Sequence, residues 1–357
     1  MSTEALLEAV ASRLFLDRQL EFWLRELDPT LARRELRARI TGIVVETSDT
    51  KTFVLKPSRQ WAGFTAGQYV TIDVEIDGVR TRRCYSISSA VDAGRSFTIT
   101  VKRAKGGRVS SWLHDQAKVG DVVTIGTAAG DFVLPVPLPA KLLLVSGGSG
   151  ITPIFSLLLE LAGRGRLDDV VLLHYARTRE DVIFREHLAA LADRHCGLRL
   201  ELRYTRGGGT EPRFDEQALR RIVPDFADRH AFVCGPPALM EEVERLWERH
   251  GLTDRLRRER FVAPTAAIGE GATDARVTLV RSGKAFRTDG KGTLLEQAER
   301  AGAKPAYGCR MGICHTCKCR KQSGTVQNVR TGEISSEPDE DIQLCISVAR
   351  SDIELSL

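Results

Sequence analysis

Long apolar runs are missing from this chain: none reaches the ~18 residues that a bilayer span requires, so no transmembrane segment is expected. A secretory leader is not expected either, because the first residues carry Glu4 and Glu8 and no basic patch ahead of an apolar stretch. Charge of one sign is scarce, with 52 basic against 47 acidic side chains and a net charge of +5. Without a basic tract or a DNA-binding helix pair, nucleic acid is not expected as a partner. Internal repeats and long low-complexity segments are absent too. What remains is an ordinary globular composition, 42% hydrophobic and 28% charged, spread over 357 residues, too many for a single core. The expectation is a cytoplasmic chain of two or three domains.

Periodicity divides the chain into parts. Residues 1–37 carry apolar positions at helical spacing (Leu6, Val10, Leu14, then Leu20, Trp23, Leu24, Leu27), broken by Asp28-Pro29. Residues 38–137 alternate in short strands, Ile43–Val45, Thr52–Leu55, Tyr69–Val74, Phe97–Val101 and Val122–Ile125, as in a small antiparallel barrel. A proline-rich hinge, Pro135–Pro139, follows. Residues 138–262 alternate strand and helix, with strands at Leu142–Val145, Val170–His174, Leu198–Leu202 and Ala231–Val233, which predicts a parallel α/β sheet. An Ala/Gly-rich linker, 263–274, leads to residues 275–357, where Thr293 and Glu296 have the spacing of a capping box.

The most specific signal is cysteine. Cys309, Cys314 and Cys317 stand at C-x4-C-x2-C, and Cys345 follows at a distance, the spacing that holds a [2Fe–2S] cluster of the plant-ferredoxin kind. Gly308 and Gly312 let that loop bend where a Cβ would obstruct it. Zinc is the main rival, but it usually takes paired C-x2-C knuckles and only one is present. Cys319 fits the cluster spacing poorly and reads as a spectator thiol. Cys84, Cys196 and Cys234, like Cys319, follow no framework spacing, which suits a reducing compartment.

The second signal is Gly147-Gly148-Ser149-Gly150-Ile151-Thr152-Pro153 directly after a strand. Small residues there let a pyrophosphate approach the backbone at a helix N-terminus, with Thr152 expected as N-cap and Pro153 as the first helical residue. Pro153 stands where the usual fingerprint has its third glycine, and such a turn alone is as often structural. Its neighbours add weight. In Arg83-Cys84-Tyr85-Ser86, the Arg can pair with a flavin phosphate, the Tyr can cover the ring and the Ser can bond near N5. A strand with an exposed Arg and a core Tyr would look the same. Gly106-Gly107-Arg108-Val109-Ser110-Ser111 is another glycine turn opening a helix, suited to a second phosphate and so to FAD rather than FMN. Cys234-Gly235-Pro236-Pro237 closes the last α/β strand; its plainer reading is a turn with a buried Cys.

In this order the motifs resemble the ferredoxin–NADP reductase superfamily with a plant-type ferredoxin fused at the C-terminus, over about residues 38–357. The resemblance implies a multidomain α+β protein: an antiparallel flavin-binding barrel, an α/β nicotinamide domain and a β-grasp-like [2Fe–2S] domain. It places Cys234, with Gly235 and Pro236, beside the nicotinamide, adds Lys102 to the cofactor-binding residues, and gives Phe261 the place of the aromatic that covers the flavin. Ser86 and Cys234 would orient the reacting rings. The domain order is similar to phthalate dioxygenase reductase, whereas the N-terminal helix, the Gly106–Leu113 turn and the cysteine loop look closer to bacterial reductases of membrane-bound acyl desaturases or alkane hydroxylases.

Electron counting sets the expected chemistry. A nicotinamide gives up two electrons as hydride and a cluster takes one at a time, so a flavin must stand between them. The expected activity is electron transfer from NAD(P)H through FAD and [2Fe–2S] to a partner, a membrane di-iron desaturase or alkane hydroxylase, or alternatively a Rieske ring-hydroxylating or demethylating oxygenase. Arg177 and Arg179, after the second α/β strand, favour NADPH, because Arg can hold a 2′-phosphate; Asp181 nearby opposes this. Any membrane association would come through the partner. A basic rim of Arg310, His315, Lys318, Arg320 and Lys321 around the cluster loop is expected to steer that partner.

Overall fold

The computed structural model describes residues 30, 35–91, 95–206, 214–261, 273–308, 312 and 316–357. The N-terminal helical segment, most of the linker, and Cys309 and Cys314 therefore lie outside the described residues.

The first sheet is antiparallel and six-stranded: β1 (Leu36–Thr47), β2 (Thr50–Pro57), β3 (Tyr69–Ile76), β4 (Val79–Ser86), β5 (Phe97–Lys102) and β6 (Val122–Ile125), in the order β4-β3-β6-β1-β2-β5. A bridge between Ile87 and Ile99 ties the end of β4 to β5 and curls the sheet toward closure around Ile40, Phe53, Val70, Ile72, Phe97 and Ile99. β1 begins at Leu36, inside the segment expected to be helical, and is longer than the Ile43–Val45 stretch. β4 was not among the expected strands, because Val-Arg-Thr-Arg-Arg-Cys-Tyr-Ser lacks alternation. Pairing with β3 along its whole length makes it one, from Tyr69↔Ser86 to Ile76↔Val79. Between β5 and β6 lies α1 (Arg108–Asp115), opened by Gly107 as its N-cap.

The second sheet is parallel, in the order β11-β10-β7-β8-β9. Its strands are β7 (Leu142–Gly147), β8 (Val170–Ala176), β9 (Leu198–Tyr204), β10 (His230–Cys234) and β11 (Leu256–Glu259). Every residue of β7 and β8 is buried, as expected for strands covered on both faces. The connections carry α2 (Ile151–Gly163), α3 (Arg185–Arg194), α4 (Glu216–Ile222) and α5 (Pro237–Arg249). Thr152 is not the N-cap of α2. A short 3-10 turn, Gly148–Gly150, precedes the helix, Gly150 takes the cap position, and the Thr152 hydroxyl turns back to donate to the Ser149 carbonyl at 3.0 Å. Leu134 and Leu138 of the proline-rich connection pack on the same core as α2.

The C-terminal region holds β12 (Thr273–Leu279), β13 (Lys284–Asp289), α6 (Leu294–Arg300), β14 (Lys318–Ser323), β15 (Val326–Asn328), β16 (Ile334–Ser335), β17 (Glu340–Gln343), β18 (Ser347–Ala349) and β19 (Ile353–Leu355). They form a mixed sheet, β13-β12-β19-β14-β17, and a small one, β16-β15-β18. The capping box is present: Thr293 accepts from the Glu296 amide, and Glu296 reaches back to Thr293. Leu294, Leu295, Leu344, Ile346 and Ile353 form the core.

Candidate functional site: two adjoining cavities and a cysteine pair

A cavity of about 300 Å3 opens at the end of β4, lined by Arg83, Cys84, Tyr85, Ser86, Lys102, Gly107, Val109, Ser110, Thr152 and Phe261 among the residues expected from sequence. Ser86 is buried and its hydroxyl has no hydrogen-bond partner, a polar group left for a ligand to satisfy. Ser110 is committed to the turn, donating to the Gly107 carbonyl and accepting from the Ala104 amide, both at 3.2 Å. Gly107 is required there, since a Cβ would lie 2.5 Å from the Ser110 hydroxyl. Ser111 and Pro153, expected at the site, line neither this cavity nor the next.

A second cavity of about 630 Å3 adjoins the first, and Lys102, Ser149 and Phe261 line both. Gly147, Gly148, Gly235, Pro236 and Arg177 line it. A Cβ on Gly147 would stand 2.8 Å from Pro236 Cδ, and one on Gly150 would be 2.1 Å from the Cys234 carbonyl oxygen, so the glycine turn is pressed against the end of β10. Cys234 itself is fully buried and lines neither cavity; burial pushes its thiol up. The plainer reading of a buried Cys at a turn describes its observed position.

Arg177 is already engaged. It donates at 2.8 Å to Asp181 on its own loop and at 2.8 Å to Asp49 of the β1–β2 turn, and Asp49 also pairs with Lys102 at 3.2 Å. Two hydrogen-bonded carboxylates raise its pKa further. Arg179 is exposed and lines no cavity. Arg206, which follows β9, lines the second cavity beside Thr205.

Glu259 was missed by sequence reasoning. It ends β11 in register with Cys234 and lines the first cavity. The residue is part-exposed, but its Oε2 is enclosed and unpaired, and burial of that carboxyl, with Asp131 nearby, pushes it up to about 8. A lone Glu in an edge strand gives no local signal of this. Tyr69, Thr100, Ala104 and Arg260 complete the lining.

In the C-terminal region Cys317 and Cys345 are buried with their sulfurs 3.1 Å apart. That is too long for a disulfide of about 2.05 Å. The Gly312 amide donates to Cys345 Sγ at 3.2 Å. Gly312 has φ +74°, and a Cβ there would meet Ile346 at 2.5 Å, which accounts for the glycine. Cys319 faces the core from β14; burial raises its thiol to about 11. It does not join the pair.

Among the described residues, the charges expected to form a basic rim are paired or buried. β14 pairs with β17 so that Arg320 lies opposite Asp341 and Lys321 opposite Glu340. Lys318 contacts Asp341 at 2.9 Å, and Arg320 lies 3.7 Å from Asp341 and 3.9 Å from Asp339. Lys321 is not a surface residue: it is fully buried, donating at 2.8 Å to the Gly324 carbonyl and 2.5 Å to that of Glu337. Arg310 and His315 lie outside the described residues.

Three family models match along the chain: an oxidoreductase FAD-binding domain at residues 37–134, an oxidoreductase NAD-binding domain at 144–245, and a 2Fe-2S iron-sulfur cluster binding domain at 277–350. A protein of Mycobacterium tuberculosis named NADPH oxidoreductase is 38% identical, over 98% of this chain and 92% of its own length. The chain belongs to the ferredoxin–NADP reductase superfamily with a C-terminal [2Fe–2S] ferredoxin domain. This reductase is also 33% identical to the glycine betaine monooxygenase reductase subunit of Pseudomonas aeruginosa, over 88% of this chain and 93% of that one. Among solved structures it resembles phthalate dioxygenase reductase, with a TM-score of 0.63 and 27% identity over 91% of this chain and 98% of the other. The protein is thus an NAD(P)H-dependent oxidoreductase that uses FAD, a nicotinamide coenzyme and a [2Fe–2S] cluster. The observed sites fit them: the first cavity offers the orphaned Ser86 hydroxyl, the second a glycine cradle, and the third a converging cysteine pair.

Proposed function

We propose that this reductase draws two electrons from NADPH at the junction of its two cavities and delivers them singly to a separate partner oxygenase. The observation that carries this reading is the meeting of the cavities at Lys102, Ser149 and Phe261, which would bring a flavin in one and a nicotinamide in the other into contact. The flavin, when bound, supplies the conversion of hydride chemistry into one-electron steps. The chain supplies position. Gly147, Gly148, Gly235 and Pro236 form the seat of the dinucleotide, and Thr152 reaches the first cavity from the start of α2. Tyr85 and Ser86 take the flavin ring, with the Ser86 hydroxyl donating or accepting as the ring's state requires. Gly107–Ser110 offers the turn for a second phosphate. Phe261 covers the junction. Glu259, largely neutral at pH 7, has a carboxyl able to donate a hydrogen bond into the first cavity. Cys234 shapes the end of β10 rather than touching the ring. Cys309, Cys314, Cys317 and Cys345 hold the cluster.

NADPH is preferred over NADH on the strength of Arg206, not of Arg177 and Arg179. Arg206 lines the second cavity, whereas Arg177 is occupied by two carboxylates. The relative named NADPH oxidoreductase supports the same choice. Comparing kcat/KM for both coenzymes tests it: Arg206→Ala should lower the value for NADPH by about tenfold and leave NADH nearly unchanged. Equal losses for both, or none, would reject the assignment.

For the partner, the cysteine loop favours a membrane di-iron acyl desaturase or alkane hydroxylase, with the reductase working in the cytoplasm and reaching the membrane through that partner. The name of the glycine betaine monooxygenase reductase subunit favours a second reading, a Rieske or demethylating oxygenase. Reconstitution separates them. Turnover with membranes carrying a desaturase, and none with a demethylating oxygenase, supports the first; the reverse supports the second.

A further inference from the structure

Two consecutive arginines of β4 reach out of the flavin domain and hold the ends of the cluster loop. Arg82 is aimed by Asp73, its register partner across β3 and β4. Its Nε and Nη2 donate to the two Asp73 carboxylate oxygens at 2.7 and 2.5 Å. Asp73 is buried, so this fork is held by a charge with little access to water. The remaining Nη1 donates to Thr316 Oγ1 at 3.1 Å, across 234 residues of sequence. Arg83 donates through Nη1 to the Gly308 carbonyl at 2.7 Å and to that of Arg82 at 2.8 Å. Its guanidinium lies 5.8 Å from the centre of the Tyr307 ring.

The attachment points have meaning in the sequence. Gly308 immediately precedes Cys309, and Thr316 immediately precedes Cys317, so the bonds fall beside the first and third cysteines of the cluster motif. On the other side, Arg83 is also the first residue of the stretch Arg83–Ser86 that lines the first cavity. The same strand thus forms the flavin wall and grips the cluster loop. We propose that Arg82 and Arg83 are positioning residues for the electron step from flavin to cluster, fixing the ferredoxin domain on β4 through Gly308 and Thr316 at the two ends of the cluster loop. This rests on the reading that the flavin occupies the first cavity. Arg82 is the cleaner probe, because it does not line that cavity and Arg83 does.

The test uses the purified holoenzyme in anaerobic stopped flow. Flavin bleaching by NADPH and cluster reduction are followed at separate wavelengths in the parent, in Arg82→Ala and in Thr316→Val, which removes the acceptor from the ferredoxin side. Small-angle scattering of the oxidised proteins reports docking independently. The proposal expects flavin bleaching to be unchanged and cluster reduction to slow by about tenfold or more in both variants. It also expects the EPR line shape and cluster potential to be retained, and the radius of gyration to rise. Arg82→Lys should not rescue the rate, since an ammonium cannot both fork onto Asp73 and reach Thr316. Parent-like cluster reduction with unchanged scattering would overturn the proposal. So would slowing that merely tracks a changed cluster potential, because geometry would then not be the cause. If flavin bleaching slowed equally, the placement of the flavin would fall together with the inference.

Discussion

Where the flavin domain meets the nicotinamide domain, Phe132 stands edge-on to Phe232 with ring centres 5.4 Å apart, in one apolar core with Ala66, Leu144, Ile154 and Leu157. Position 67 requires glycine, because its φ is +91° and a Cβ there would sit 1.9 Å from the Phe132 carbonyl oxygen. A buried bond from the Ser156 hydroxyl to the Ser89 carbonyl at 2.8 Å and the Asp49–Arg177 pair add polar ties. Where the flavin domain meets the ferredoxin domain, the described ties are the Arg82 and Arg83 bonds and the Arg83–Tyr307 stacking. The apolar core of the ferredoxin region, among the described residues, begins at Ala275 and draws on nothing earlier in the chain. The chemistry explains the contrast. Hydride transfer requires two rings in van der Waals contact, so the junction that aligns them is a continuous packed interior. An electron needs only proximity, and a polar clamp that can be remade is sufficient for that step.

Separating the two junctions genetically gives the largest effect. Cys345→Ser should abolish the reduced-state EPR signal of the cluster while NADPH still bleaches the flavin, because the fused junction does not depend on the ferredoxin domain. A normal signal in Cys345→Ser, or its loss in Cys319→Ser, would reassign the ligands. Next in size is Phe132→Ala, which opens a cavity in the shared core and should destabilise by ~3–5 kcal/mol. Chemical denaturation read by flavin fluorescence would check it, and the midpoint of cluster loss should not move.

Glu259 probes the hydride side by pH. Its carboxyl is held up to about 8 against an ordinary 4.5, so between these values unfolding releases a proton and stability falls as pH rises. Glu259→Gln should flatten that decline between pH 5 and 8 in a thermal unfolding series. An unchanged slope would place the decline elsewhere. The smallest effect is expected on the ferredoxin surface. Lys318→Glu breaks one exposed pair with Asp341 and should change stability by no more than about 0.5 kcal/mol. It should slow delivery to the partner only modestly, as seen in turnover measured across an ionic-strength series. A large loss there would restore the basic rim as a steering surface.

What was legible in the sequence depended on range. Cys309, Cys314 and Cys317, the Gly147–Gly150 turn and the Thr293–Glu296 box are short-range patterns, and backbone geometry gives each one a meaning by itself. Four strands of the second sheet were legible, β7 and β8 most plainly because burial on both faces leaves unbroken apolar runs such as Leu142–Val145, whereas the charged edge strand β11 was not expected. β4 was not, because a charged strand is made by its partner β3 and not by its own pattern. The engagement of Arg177 was hidden for the same reason: Asp49, to which it donates, lies 128 residues away. Lys321 looked like surface until the β14–β17 register buried it. Glu259 and Arg206 acquire their places only when strand ends converge on the cavities.

Calorimetry of the intact holoenzyme, with flavin fluorescence and cluster absorbance recorded over the same temperature range, tests the central contrast most directly. A shared core predicts that the flavin and nicotinamide domains unfold in one transition, with the ferredoxin domain in another. Phe132→Ala should lower only the first, and Arg82→Ala should leave both nearly in place. Three separate transitions, or a single one in which flavin and cluster are lost together and Phe132→Ala shifts both, would contradict it.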